Sequence, residues 1–486
     1  MSDHDHAPAT GDMPVSEFRE YGHRVVDRIA SYFAHVQDFP VLAQVAPGEV
    51  AASLPLEAPE GPSSMDEILR DFDDRILPGI THWNHPGFFA YFGISGSGPG
   101  VLGETLAAAL NVNGMLWRTS PSATELEERS LEWLRQMLGL PEGLSGHIQD
   151  TASMSTLVAI AGAREAAGLG VRDEGLSGRD LPRLRLYCSE QAHSSVEKAG
   201  ITLGIGRAGT RTIPVDADYR MDVDALRAAV AEDRAAGVRP FCVVATVGTT
   251  STTSVDPVAA IAEVCREHGL WLHVDAAYGG AAAVLPEMRW IFEGVEHADS
   301  ILVNPHKWLF TPIDCSALYL RDPAIVRRAF SLVPEYLSTP EGGEVTNLMD
   351  YGPALGRRFR SLKLWMVLRY FGRSGIAERI REHMRLAREF RRWLEDEADW
   401  GVLAPTPFST VCFRYAPAAL SDVERDERNE AILAEVNATG EVFLSHTRLR
   451  GRYALRLAVG NLRTTEAEVR RAWELLRGAA ARAPMI

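Results

Sequence analysis

The sequence predicts an α/β protein, with a mostly parallel sheet covered by helices on both faces, a smaller α/β lobe after it and a helical segment before it. Two observations carry this. From residue 184 onward, short apolar runs at 184–188, 241–247, 270–274, 300–303 and 317–320 alternate with helical patterns at 194–203, 223–236 and 257–268. Strands that alternate with helices build parallel sheets buried on both sides. Beyond residue 375, a charged helix at 376–397, a strand pair around 411–414 and 453–459, and a last helix at 466–476 make a second, smaller lobe.

The elements follow in order. Phe18, Tyr21, Val25, Ile29, Tyr32 and Val36 recur at helical spacing and give an amphipathic helix that stops near Asp38-Phe39-Pro40. Residues 41–64 are rich in Pro, Gly and Ala and read as an extended linker, and a second helix covers 65–77. This opening segment has too few apolar faces for its own core, so it must pack on the rest of the chain or on a partner subunit. The division that results is 1–84, a helical segment; 85–372, the large α/β domain; and 373–486, the small one.

Composition narrows the function. The 486 residues hold 50 Lys+Arg against 65 Asp+Glu, a net charge of −15, with 46% hydrophobic and 24% charged residues. This is globular composition, and the acidic balance argues against a nucleic-acid partner or adhesion to anionic membranes. The Arg-rich stretch 379–392 carries Glu at helical spacing, as a solvated face does. Cys188, Cys242, Cys265, Cys315 and Cys412 are scattered with no C-x-x-C pair, which points to a reducing cytoplasm and no zinc site. The first twelve residues lack the basic and apolar regions of a signal peptide, and no run approaches the ~20 apolar residues of a membrane span. His4 and His6 read as a solvated tail, and no metal is expected.

Gly204-Ile-Gly-Arg-Ala-Gly209 matches the dinucleotide fingerprint, but it follows a helix and leads into a strand at 210–215, the reverse of what that site requires. It reads as a turn. The informative region runs from Cys242 to Trp308, where three features sit at the carboxyl ends of successive strands, the ligand side of such sheets. These are Gly248-Thr249-Thr250, Asp275 in Leu272-His-Val-Asp-Ala-Ala-Tyr278, and Lys307 in Asn304-Pro-His-Lys-Trp308. Singly, each has an ordinary reading: a turn, a helix cap, a solvated lysine. Together they have the chemistry of a pyridoxal-phosphate site, with a lysine to form a Schiff base, an acid to keep a pyridine nitrogen protonated, and a turn whose N–H groups and hydroxyls take a phosphate. Asp275 and Lys307 lie 32 residues apart, one strand–helix–strand step. Gln191-Ala-His193 follows the strand at 184–188, where an imidazole can lie over the cofactor ring. Asp150-Thr-Ala-Ser153 opens a helix at 154–167, a second seat for phosphate.

With these residues in view, the chain resembles the group II pyridoxal-phosphate decarboxylases of the aromatic-L-amino-acid decarboxylase type. The resemblance runs through Val26-Asp-Arg-Ile29, His85-Pro86, Ser120-Pro-Ser-Ala-Thr-Glu-Leu-Glu127, Gln191-Ala-His-Ser-Ser195, His273-Val-Asp-Ala-Ala-Tyr278, Asn304-Pro-His-Lys-Trp308, Gly356-Arg-Arg-Phe-Arg-Ser-Leu-Lys363 and Ser445-His-Thr447. It implies the type I fold of aspartate aminotransferase and an obligate homodimer with active sites at the interface, wrapped by the N-terminal helices. It implies Lys307 as the Schiff-base lysine, Asp275 as the pyridinium partner and His193 stacked on the ring. Ala152, Ser153, Thr250, Ala277, Asn304 and His306 then hold the cofactor or its phosphate. Tyr336, in Val333-Pro-Glu-Tyr-Leu337, matches the family's loop tyrosine that protonates the α-carbon; relatives with phenylalanine there form an aldehyde instead.

The departures fall on substrate recognition. Gly93-Ile94-Ser95 follows Tyr91-Phe92 where animal relatives carry Pro-Thr, and Asn113 and Met115 replace Ile and Phe. Trp83, Phe92 and Ile94 remain as pocket walls, and Gly356, where phenol-preferring plant relatives have Ser, leaves room for an indole. The expected reaction is decarboxylation of an aromatic L-amino acid, with a lean towards tryptophan. The competing readings are an oxidative aldehyde synthase, an aminotransferase, and a silent homologue that only binds.

Overall fold

In a computed structural model of the chain, residues 11–332, 341 and 344–482 are described. His4, His6 and Tyr336 lie outside the described residues. The chain divides into two compact units: Met1–Phe88 with Glu430–Leu444 and Arg463–Ile486, and Phe89–Asn429 with Ser445–Leu462.

The second unit holds a seven-stranded sheet built from β1 (Ser145–Gln149), β2 (Leu184–Ser189), β3 (Thr210–Ile213), β4 (Arg239–Thr246), β5 (Trp271–Asp275), β6 (Ser300–Val303) and β7 (Ser316–Leu320), in the order β1-β7-β6-β5-β4-β2-β3. β3, β2, β4, β5 and β6 run parallel, while β7 is antiparallel to both β6 and β1. β5 and β6 are buried throughout and β4 is buried from Phe241 on, as strands covered on both faces must be. The helices expected between them form at Ser195–Thr202, Val223–Ala235 and Val258–His268. The glycine motif is the expected turn: Gly204 and Gly206 both take positive φ, and a short 3-10 turn leads straight into β3.

A second sheet, β8 (Trp400–Val402), β9 (Thr410–Tyr415), β10 (Ser445–Leu449) and β11 (Arg452–Ala458), has the order β10-β11-β9-β8 and is antiparallel throughout. The helical run Arg360–Glu395 leaves helical geometry at Gly372, whose φ of 61° suits glycine. Its arginines are laced to acids, Arg385 to Glu382, Arg391 to Glu395 and Arg392 to Glu389.

The first unit holds the amphipathic helix Val15–His35, the helix Met65–Asp71 with its Ser64–Glu67 capping box, and the final helix Glu466–Arg482. The linker is not wholly extended, because Glu49–Ser53 forms a helical turn. Helix Val15–His35 has no fully buried residue.

Candidate active site

Register brings the site together. Thr246 of β4 pairs with Asp275, and Asp275 pairs with Leu302, so the carboxyl ends of β4, β5 and β6 lie side by side. After β6, Asn304 starts the short helix Pro305–Trp308, which carries His306 and Lys307. The Asn304 N–H donates to the Ala277 carbonyl (3.2 Å), and the Ala277 N–H donates to Asp275 Oδ1 (3.0 Å). Backbone bonds thus tie the acid to the lysine's own turn.

Asp275 is buried, with one carboxylate oxygen, Oδ1, on the Ala277 N–H. Lys307 is half-buried with its Nζ over the face of Phe92, 5.1 Å from the centroid. Burial pushes its ammonium below the ordinary lysine range, against the pull of Asp275, and so favours the neutral amine that forms an imine. His193 accepts the Ser195 N–H at Nδ1 (3.1 Å), which leaves the ring proton on Nε2. Burial lowers its pKa, Asp275 opposes this, and Lys307 and Lys198 add to it. Asp275, His193 and Lys307 therefore share one electrostatic neighbourhood, as the sequence led us to expect.

Beside Lys307, on the same short helix and the strand after it, is a donor cluster. Cys315 N–H donates to His306 Nδ1 (2.9 Å), so the neutral ring carries its proton on Nε2; burial and then Lys307 push its pKa to about 4. The Ser316 hydroxyl donates to Asn304 Oδ1 (2.7 Å), which turns Nδ2 towards His306 Nε2, 3.3 Å away. Two N–H donors side by side suit a shared anionic oxygen. Ser155 Oγ lies 2.8 Å from Ser316 Oγ and, since the Ser316 proton goes to Asn304, acts as donor. That bond ties the cluster to helix Ala152–Ala166, whose first-turn N–H groups at Ala152 and Ser153 have no intrahelical acceptor. This donor set, with the lysine and the buried acid, fits pyridoxal phosphate.

One expectation is corrected. Gly248 and Thr249 do not offer free N–H groups, because both donate to the Ser254 carbonyl at 3.0 Å and the Thr249 hydroxyl is engaged with Thr252. The turn is closed on itself; only Thr250, which is exposed, presents a side chain.

Sequence reasoning missed the support beneath the lysine. Phe92, Tyr278, Trp308 and His383 stack in one column, with centroids 4.0, 4.8 and 6.4 Å apart and near-parallel planes. Trp308 Nε1–H donates to His383 Nδ1 (2.9 Å). The Tyr278 hydroxyl donates to Ser409, which donates to the Val459 carbonyl. Arg456 was missed as well. It is buried in β11, its guanidinium lies 5.3 Å from the Phe92 centroid, and it donates to the carbonyls of Thr250, Ser251 and Tyr91. An arginine inside the apolar run 453–459 was the available signal.

The expected pocket residues fall into separate groups. Phe92 touches the lysine, and Ile94 is half-buried nearby in sequence. Trp83 stacks on Phe88 within the first unit, at 4.4 Å. Asn113, Met115 and Gly356 cluster together: Arg357 N–H donates to Asn113 Oδ1 (3.0 Å) and Asn113 Nδ2 lies 3.5 Å from Met115 Sδ.

Comparison with known proteins agrees with this geometry. Residues 47–416 match the family model described as the pyridoxal-dependent decarboxylase conserved domain. The chain is 43% identical to tyrosine decarboxylase 2 of Arabidopsis thaliana, over 94% of this chain and 86% of that one. It is 41% identical to phenylacetaldehyde synthase of the same plant, over 96% of each. Among solved structures, Oryza sativa TDC with PLP and tryptamine superposes with a TM-score of 0.93 at 39% identity, covering 97% of this chain and 99% of that one.

Proposed function

This chain belongs to the pyridoxal-dependent decarboxylase family, and from that premise we propose that it converts an aromatic L-amino acid to its amine and carbon dioxide. It is a pyridoxal-phosphate-dependent carboxy-lyase with the type I fold. The observation that carries the reading is Lys307, half-buried, depressed in pKa and within the electrostatic influence of Asp275 at the carboxyl ends of adjacent strands.

When bound, pyridoxal phosphate supplies an electron-poor ring that accepts the pair left behind as carbon dioxide departs. The chain's own residues do the rest. Lys307 would hold the cofactor through its side-chain amine. Asp275 would keep a proton on the cofactor's nitrogen, and His193 would offer its Nε2–H. Asn304, His306, Ala152 and Ser153 would hold the phosphate, with Thr250 and Ala277 completing the cofactor's surroundings. The part of the surrounding residues is orientation, since their hold on the substrate would decide which bond breaks. Tyr336 supplies the proton to the α-carbon, a role that rests on the sequence match alone.

We further propose a homodimer. Leu102, Leu106 and Leu110 lie along one face of helix Gly98–Leu110 and are half or more exposed, an apolar strip that a second copy would cover. Asn113, Met115 and Gly356 would then complete a substrate pocket. All five cysteines are free and buried, which suits a reducing cytoplasm. Among the described residues, no helix is long and apolar enough to cross a membrane.

The likeness to a phenylacetaldehyde synthase makes oxidative release of an aldehyde the second reading. One experiment tests both: incubate the protein with pyridoxal phosphate and each aromatic L-amino acid, then assay amine, aldehyde and hydrogen peroxide. Amine without peroxide supports the first reading, aldehyde with peroxide the second, and turnover of no substrate refutes both.

A further inference from the structure

We propose that Glu127 and Arg357 are a positioning pair for the cofactor's phosphate: they stand in for the missing neighbour of β1 and so fix where helix Ala152–Ala166 begins. This rests on the pyridoxal-phosphate reading above and deepens it. Among the described residues, β1 is the outermost strand of its sheet, with β7 on one side and no strand on the other. An edge strand presents unpaired N–H and carbonyl groups, and where these are buried they need partners. Ile148, in β1, is buried. Its N–H donates to Glu127 Oε1 (2.7 Å), while Arg357 Nη2 donates both to the Ile148 carbonyl and to Glu127 Oε1, the latter at 2.9 Å. The ion pair thus offers this one residue the acceptor and donor that a paired strand would.

Both members are held inside the fold. Glu127 projects from helix Pro121–Leu138 with 4% of its side chain exposed, and Arg357 has 9%. The Arg357 backbone is fixed in turn, its N–H donating to Asn113 Oδ1 (3.0 Å) and its carbonyl accepting the Gly114 N–H (2.9 Å). Desolvation offsets much of the attraction within a buried ion pair, so what this pair contributes is geometry.

The place it fixes leads into the site. Three residues after Ile148, the Thr151 hydroxyl caps the helix by accepting the Met154 N–H (3.4 Å), and the N–H groups of Ala152 and Ser153 follow at its open end. Next to Ile148 in β1, Gln149 pairs with Ser316, whose hydroxyl donates to Asn304 Oδ1 (2.7 Å). One strand therefore sets the spacing between the helix N–H groups and the Asn304–His306 donors. A slip of one residue along β1 would displace the helix start by about 3.3 Å, far outside the roughly 0.5 Å over which hydrogen-bond lengths vary.

The test measures dissociation constants for pyridoxal phosphate and for pyridoxal, which lacks the phosphate, by equilibrium dialysis of the full chain after removal of bound cofactor. Their ratio reads the phosphate seat alone. Glu127→Gln keeps an acceptor for the Ile148 N–H but removes the charge that holds Arg357. The advantage of pyridoxal phosphate over pyridoxal should fall about tenfold, the contribution of one charge-assisted hydrogen bond, with pyridoxal affinity unchanged. A merely structural role would weaken both ligands together and keep the ratio, and an unchanged ratio overturns the inference. Should that variant not fold, Glu127→Asp keeps the charge but stops one carbon short of the Ile148 N–H. Its ratio must fall as well, and an unchanged ratio there overturns the inference. A wild type that binds pyridoxal phosphate no more tightly than pyridoxal overturns the phosphate seat itself, and the inference with it.

Discussion

Replacing His383 by glutamine should remove part of the protein's sensitivity to acid. His383 is buried at the end of the aromatic column and accepts the Trp308 N–H at Nδ1, and burial lowers its pKa from 6.5 to about 4. The folded state thus holds it neutral while the unfolded chain protonates it near 6.5. Stability from this group is complete above that value and is lost as pH falls towards 4. At pH 5 the unfolded chain has gained 1.5 pH units of proton binding that the folded one has not, about 2 kcal/mol. Glutamine can accept the same indole N–H through Oε1 but does not titrate. For a chain of this length the unfolding entropy is roughly 1 kcal/mol per degree. The drop in Tm between pH 7.5 and pH 5 should therefore be smaller by about 2 °C in His383→Gln than in the wild type. The assay is thermal unfolding of both holoenzymes at the two pH values. His147, His273 and His306, whose pKa values burial also lowers, act in both proteins and cancel. Equal Tm losses would refute the argument and show that His383 is solvated or protonated in the fold.

Other outcomes follow from the same geometry. Lys307→Ala should abolish turnover and borohydride-trappable cofactor, while phosphate contacts retain weak cofactor binding measurable by equilibrium dialysis. Gly279→Ala should destabilise the holoenzyme by several kcal/mol, roughly 2–3, because its Cβ would sit 2.6 Å from the Val247 carbonyl oxygen and 2.8 Å from Phe408 Cζ; thermal unfolding checks it. Gly356→Ser, whose Cβ meets only Asn113 Nδ2 at 4.0 Å, should leave Tm within about a degree and change only the ratio of kcat/KM for large and small rings. Leu106→Glu should shift the protein from dimer to monomer in light scattering, since it charges the exposed apolar strip.

The sequence made the candidate line legible because parallel sheets put ligands at strand ends, and Asp275, His193 and Lys307 all lie at the ends of buried apolar runs. The parts that were not legible depend on distant pairing. β1, Ser-Gly-His-Ile-Gln, has no apolar run to betray it; it becomes a strand by pairing with β7 about 170 residues later. The glycine–threonine turn looked like an anion nest, and only the fold shows that the Ser254 carbonyl already occupies both N–H groups. Arg456 was hidden for a related reason: its partners are backbone carbonyls of residues some 200 and 365 positions away, and these leave no trace in composition.

The ring column beneath Lys307 has a mechanical consequence. The Trp308 side chain is held by stacking on Tyr278 and by a hydrogen bond to His383, while the Lys307 Nζ lies over the ring of Phe92. The lysine arm therefore hangs from a fixed pivot. Any movement of its four carbons would leave the anchor in place, so the amine would come back to the same bearing each time.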